Sequence, residues 1–99
     1  MKINISTVHF KADKKLEDFV HDRIQKLSLL YDGVIGSEVT LKLNKSNNAE
    51  NKIAEIKLLI KGNDLFAKKQ SKTFEQAADN AVDALKKQLT RYKERIKGL

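Results

Sequence analysis

A chain of 99 residues, 40% of them hydrophobic, is long enough for one compact domain with one modest core and too short for two. With no cysteine, neither a disulfide framework nor a thiolate metal site can form. Twenty Lys and Arg against thirteen Asp and Glu leave a net charge of +7, which attracts polyanions, although composition alone leaves nucleic-acid binding and mere solubility both open.

In chain order, residues 1–8 alternate Ile3 and Ile5 with polar neighbours and are predicted as a strand. Asp13 is the expected N-cap of a helix over Lys14 to Leu30. Leu16, Phe19, Val20, Ile24, Leu27, Leu30 and Tyr31 form its apolar stripe at three- and four-residue spacing. Asp32, Gly33 and Gly36 are expected to end it. Val39, Leu41 and Leu43 alternate with Thr40, Lys42 and Asn44 in a second strand. The polar stretch from Lys45 to Asn51 is a predicted loop. Ala54, Ile56, Leu58 and Ile60 are the inward set of a third strand, with Glu55, Lys57 and Lys61 facing away. Gly62-Asn63-Asp64 supplies a tight turn. A fourth strand, around Leu65–Gln70, shows no clean alternation. A long helix follows from Thr73 to Lys97, with Thr73 as N-cap and Gln76 completing a capping-box pattern. A sheet with one apolar face must be covered, and two amphipathic helices can cover it. The expected fold is α+β: a two-layer sandwich in β-α-β-β-β-α order, with both helices on one face of a four-stranded sheet.

The last helix changes character halfway. Glu75, Asp79 and Asp83 occupy its first half. Lys86, Lys87, Arg91, Lys93, Arg95 and Lys97 stand against Glu94 in its second. Its apolar side is Phe74, Ala78, Val82, Leu85, Leu89, Tyr92 and Ile96. At about 100° per residue, Lys86, Lys93 and Lys97 fall on one flank of that side, with Lys87 and Arg91 on the other. Bases near a helix C-terminus complement the macrodipole, but that effect is confined to the last turn, and this run covers about three. The surplus points to phosphate binding. On the first helix, Arg23 and Lys26 add to it. By helical angle Arg23 lies inside the apolar stripe, either as a fork for a phosphate or as a snorkelling side chain at the core margin.

Catalytic chemistry is missing. His9 and His21 sit on different elements without a metal-ligand spacing partner. No Gly-rich phosphate loop and no serine in a nucleophile elbow occurs. No catalytic residue, metal site or cofactor is expected, nor a small-molecule substrate. Aromatic residues are mostly core candidates by spacing, which favours phosphate and shape readout of structured RNA over base reading. No stretch approaches the ~18 apolar residues of a membrane span, and MKINISTVHF lacks the apolar run of a signal peptide. A soluble cytoplasmic protein with no membrane partner is expected.

From Ile3-Asn4-Ile5-Ser6 through Lys97 the chain resembles the short ribosome hibernation-promoting factor family, which includes the ribosome-associated inhibitor protein. The stretch Phe19 to Leu27, in which Arg23 precedes Lys26-Leu27, is similar to that family's first helix. Asp83 to Lys97, with Gln88-Leu89 followed by bases at short intervals, is similar to its closing helix. The resemblance implies the same element order and a likeness to a double-stranded-RNA-binding domain with an added first strand. It also implies a single ribosome-binding domain over residues 1–99. The implied partner is the small ribosomal subunit and its rRNA, bound in the channel of messenger and transfer RNA so that translation stops in stationary phase or stress. The basic residues that match are Arg23, Lys26, Lys87, Arg91, Lys93, Arg95 and Lys97, with Lys86 basic where some members are not. Departures are Thr73-Phe74-Glu75, where many members carry an acid and then Met-Tyr, and Lys68 and Lys69, where members often carry small or acidic residues. Those two lysines either enlarge the RNA footprint or guard an edge strand. A chain ending at Leu99 is expected to lack both an acidic tail and a dimerising second domain, and so to silence ribosomes without pairing them. The rival readings are a structured-RNA-binding module outside the ribosome and a domain whose basic ridge meets an acidic protein.

Overall fold

The computed structural model describes residues 1–45 and 49–97. The elements are β1 (Lys2–Val8), α1 (Lys14–Gln25), a 3-10 turn (Lys26–Leu29), β2 (Val34–Leu43), β3 (Lys52–Ile60), β4 (Leu65–Ser71) and α2 (Phe74–Lys97). Residues 46–48 of the predicted loop lie outside the described residues.

Asp13 starts α1 as expected, its carboxylate accepting the Leu16 N–H at 2.8 Å. Leu16, Val20 and Ile24 then recur on one face and are buried. The α-helix does not run to Leu30. It ends at Gln25 and tightens into the 3-10 turn, in which positions three apart eclipse. Leu27 is thereby buried and Leu30 half-buried, while Leu29 is 83% exposed. Gly36 is not a helix stop either. It lies inside β2, next to a register shift between Val34 and Gly36.

The strands pair in the order β1-β2-β3-β4. β1 and β2 are parallel and the other pairs antiparallel, because α1 returns the chain to the starting end of β1 before β2 begins. Registered residues alternate between the two faces. Ile5, Val39, Ile56 and Ala67 form one row across all four strands, facing the helices. Ser6, Thr40, Glu55 and Lys68 form the adjacent row on the opposite face. The weakly patterned fourth strand is a regular one. Its alternation was illegible because Phe66 points outward, 48% exposed, while Lys69 shares the helix-bearing face with Ala67.

Both helices cover that face and share one core with it. α2 buries Ala77, Ala78, Ala81, Leu85 and Leu89, the small residues letting its first half lie close to the sheet. Thr73 caps it, its hydroxyl accepting the Gln76 N–H at 3.0 Å. The reciprocal bond of a capping box, from the Thr73 N–H to the Gln76 side-chain oxygen, is absent among the described residues, and the Gln76 amide nitrogen donates to Asn80 at 2.9 Å. The apolar stripe also stops short of its expected length. Tyr92 is half-buried, edge-on to Tyr31 at 5.8 Å, and Ile96 is 38% exposed. The last turns of α2 therefore project beyond the core.

Candidate nucleic-acid interface

α2 lies over β3 and β4 with α1 beside it, so its two flanks meet different neighbours. The flank carrying Lys86 faces α1. Arg23, Lys26, Leu29, Val82 and Lys86 line a groove of about 410 Å³ there. The flank carrying Arg91 faces the β4 edge. Lys69, Asn80, Lys87, Gln88 and Arg91 line a groove of about 500 Å³ on that side. A third hollow of about 550 Å³ runs along the helix between them, past Lys86, Lys87, Thr90, Arg91 and Glu94. Asp83 borders all three. Lys86 lies on one side and Lys87 with Arg91 on the other, as helical spacing predicts.

Of the eight bases singled out from sequence, five line these hollows: Arg23, Lys26, Lys86, Lys87 and Arg91. Lys93, Arg95 and Lys97 do not. They stand on the projecting last turns, where Arg95 and Lys97 are exposed and Lys93 partly so. Among the described residues, none of the six α2 bases forms an ion pair. Such cations keep their full attraction for an incoming polyanion.

The two α1 bases are in a different state. Arg23 Nε donates to Asp79 at 2.9 Å and its Nη1 to Asp22 at 3.2 Å, while the guanidinium lies 4.4 Å from the Phe19 ring centre. Lys26 pairs with the same Asp22 at 3.4 Å. In the structure Arg23 is packed on Phe19 and ion-paired. Its planar fork ties α1 to α2, and a phosphate would have to displace a carboxylate to use it.

Three features escaped the sequence reading. Asp79, one of three acids in the first half of α2, is the partner of Arg23. Lys69 joins Lys87 and Arg91, whereas its neighbour Lys68 points to the other face and lies 3.8 Å from Glu55. Phe74 stacks on Phe10 with ring centres 4.2 Å apart, so its ring is committed to packing. No cluster of His, Asp or Glu suited to a metal ion occurs among the described residues. No described helix is long and apolar enough to cross a membrane.

The model of the family described as Sigma 54 modulation protein / S30EA ribosomal protein matches residues 3–97. The ribosome hibernation promoting factor of Klebsiella oxytoca is 27% identical over 97 residues, covering 98% of each chain. Its namesake from Pseudomonas putida is 27% identical over 99 residues, covering all of this chain and 93% of the relative. Among solved structures, a ribosomal subunit interface protein from Coxiella burnetii superposes with a TM-score of 0.84 at 18% identity, over 95% of this chain and 99% of that one. The N-terminal domain of Thermus thermophilus Protein Y gives 0.80 at 24% identity, over 93% and 99%. Those two likenesses concern the fold. Matched from Ile3 to Lys97, the chain belongs to the Sigma 54 modulation protein / S30EA ribosomal protein family.

Proposed function

We propose that this protein is a ribosome hibernation factor that holds the small ribosomal subunit inactive through rRNA contacts of α2, without turnover of its own. The observation that carries the reading is the set of bases from Lys86 to Lys97, unpaired among the described residues and spread over both flanks of one projecting helix. The relatives' shared name, ribosome hibernation promoting factor, directs it to the ribosome. Phosphate contacts dominate such an interface, since each groove carries at least three bases and none is lined by an aromatic ring. Lys86, Lys87, Arg91, Lys93, Arg95 and Lys97 are its main contacts, with Arg23 and Lys26 secondary. The site is the channel of messenger and transfer RNA, as the family resemblance implies, and the compartment is the cytoplasm.

Co-sedimentation with purified small subunits across a salt series tests this. If about five phosphates are neutralised, log K falls against log salt with a slope of roughly −4, and translation of a reporter message falls in step with occupancy. A slope near zero would sink the electrostatic account. Equal affinity for isolated RNA hairpins would instead favour a structured-RNA module outside the ribosome.

A further inference from the structure

α2 divides the basic residues into two unequal sets. On the α1 side, Arg23 and Lys26 already face Asp22 and Asp79, with charged atoms 2.9 to 3.4 Å apart. On the β4 side, Lys69, Lys87 and Arg91 line one groove with Asp83 as its one acid. None of those three bases forms an ion pair among the described residues. On the α1 side Lys86 alone is unpaired, with Asp83 beside it, whereas on the β4 side three unpaired bases face that single acid, so a polyanion meets the larger positive excess there. Field lines concentrate in a groove with a net excess of one sign.

Strand register puts Lys69 there. It ends the row Thr7, Leu41, Ala54, Lys69, which faces the helices, and on the edge strand its ammonium reaches past the core toward α2. Lys68, one residue earlier, is carried to the opposite face beside Glu55. The Gln88 side chain donates to the Phe66 carbonyl at 2.9 Å, pinning the Arg91 flank to the same edge. Asn80 and Gln88 add amide groups to the lining, which can hydrogen-bond phosphate or ribose hydroxyls.

We infer that the groove between α2 and β4 is the principal phosphate track of the interface, and that Lys69 is the contact residue contributed to it by the sheet. This rests on the reading that the polyanion is ribosomal RNA. The test compares Lys69→Gln, Lys69→Arg, Lys68→Gln and Lys26→Gln for binding to purified small subunits over a salt series, with a melting temperature for each. Lys69→Gln should weaken binding roughly tenfold at low salt and make the salt slope shallower by about 0.9, at a near-wild-type melting temperature. Lys69→Arg should retain binding, Lys68→Gln should match wild type, and Lys26→Gln should lose less than Lys69→Gln. If Lys69→Gln binds with wild-type affinity and slope, or Lys26→Gln is the more damaging, the assignment of the track is wrong while the hibernation reading stands. Wild-type protein that fails to bind subunits removes both.

Discussion

Arg23 is held by two carboxylates and one aromatic ring. Its guanidinium lies over Phe19 and joins Asp22, one residue away, to Asp79 on the other helix. Its side chain is 36% exposed and that of Asp79 38%, so solvent screens the pair and its net worth is modest. A double-mutant cycle of Arg23→Gln and Asp79→Asn, followed by denaturant unfolding, should give a coupling of about 0.5–1 kcal/mol that shrinks as salt rises. Arg23→Ala should cost more than Arg23→Gln, because it also removes the stem and the stacking on Phe19. In ribosome binding the order should reverse between helices. Arg91, with no carboxylate partner among the described residues, should lose more on substitution by Gln than Arg23 does. His9 is a second residue shaped by its surroundings. At φ 67 it is the one described non-glycine residue in the left-handed region, where it turns the chain out of β1 toward the Phe10–Phe74 stack at a strain of about 1–2 kcal/mol.

Elements divide the labour differently from single residues. The stable part of α2 runs from Ala77 to Leu89, where it is buried against the sheet, and the basic half begins before that part ends. Lys87 and Arg91 lie one turn apart and are both exposed. Reversing both to Glu should leave the fold intact, since surface changes usually shift stability by no more than about 0.5 kcal/mol. They sit above the final turn, so the macrodipole opposes the new acids only weakly. Binding should fall steeply, as two attractions become two repulsions. As a control, Lys57→Gln, on the outer sheet face beside Asp64 and opposite Glu38, removes a charge there without clustering acids and should bind nearly as wild type. Glu55→Lys would be a poor control. Glu55 bridges Lys42 at 3.0 Å and Lys68 at 3.8 Å, and its reversal would cluster three lysines across neighbouring strands. A double variant Lys87→Glu, Arg91→Glu that melts normally and still pellets with subunits at wild-type affinity would remove α2 from the interface.

The whole molecule is elongated, 48 Å by 24 Å by 18 Å, and α2 with its 24 residues is about 36 Å long. The bases from Lys86 to Lys97 occupy only the second half of that length, a run of about 17 Å along the helix axis. The sheet beneath α2 is held together at its β1 end by close backbone approach. A Cβ added to Gly36 would lie 2.6 Å from the Lys2 carbonyl oxygen, so any side chain there forces β1 away from β2. Gly36→Ala should destabilise the fold by about 1–3 kcal/mol, a melting-temperature fall of about 4–8 °C for each kcal/mol in a domain of this size. Hydrogen exchange should quicken first in β1. At Gly62 nothing lies within 4 Å of the added Cβ, but φ is +89, so there the requirement is conformational and not spatial.

Local pattern alone determined the element order, the single apolar face of the sheet, both helix N-caps and the two basic flanks of α2. Each depends on periods of 2 or 3.6 residues, or on a cap within three residues of its target, and such short-range rules act before any long-range contact forms. Family resemblance, carried mainly by the run from Asp83 to Lys97, pointed to the family that the comparisons then matched over residues 3–97. Only tertiary structure decided which charges are spoken for. Arg23 and Asp79 are 56 residues apart in the chain, and nothing within either helix pairs them. The opposite fates of Lys68 and Lys69 depend on the register of β4 against β3. A one-residue slip would exchange their faces, and that register is set by the burial of Leu65 and Ala67 against the shared core. A side chain's type and period follow from the chain itself, but its partner is chosen by packing between distant segments.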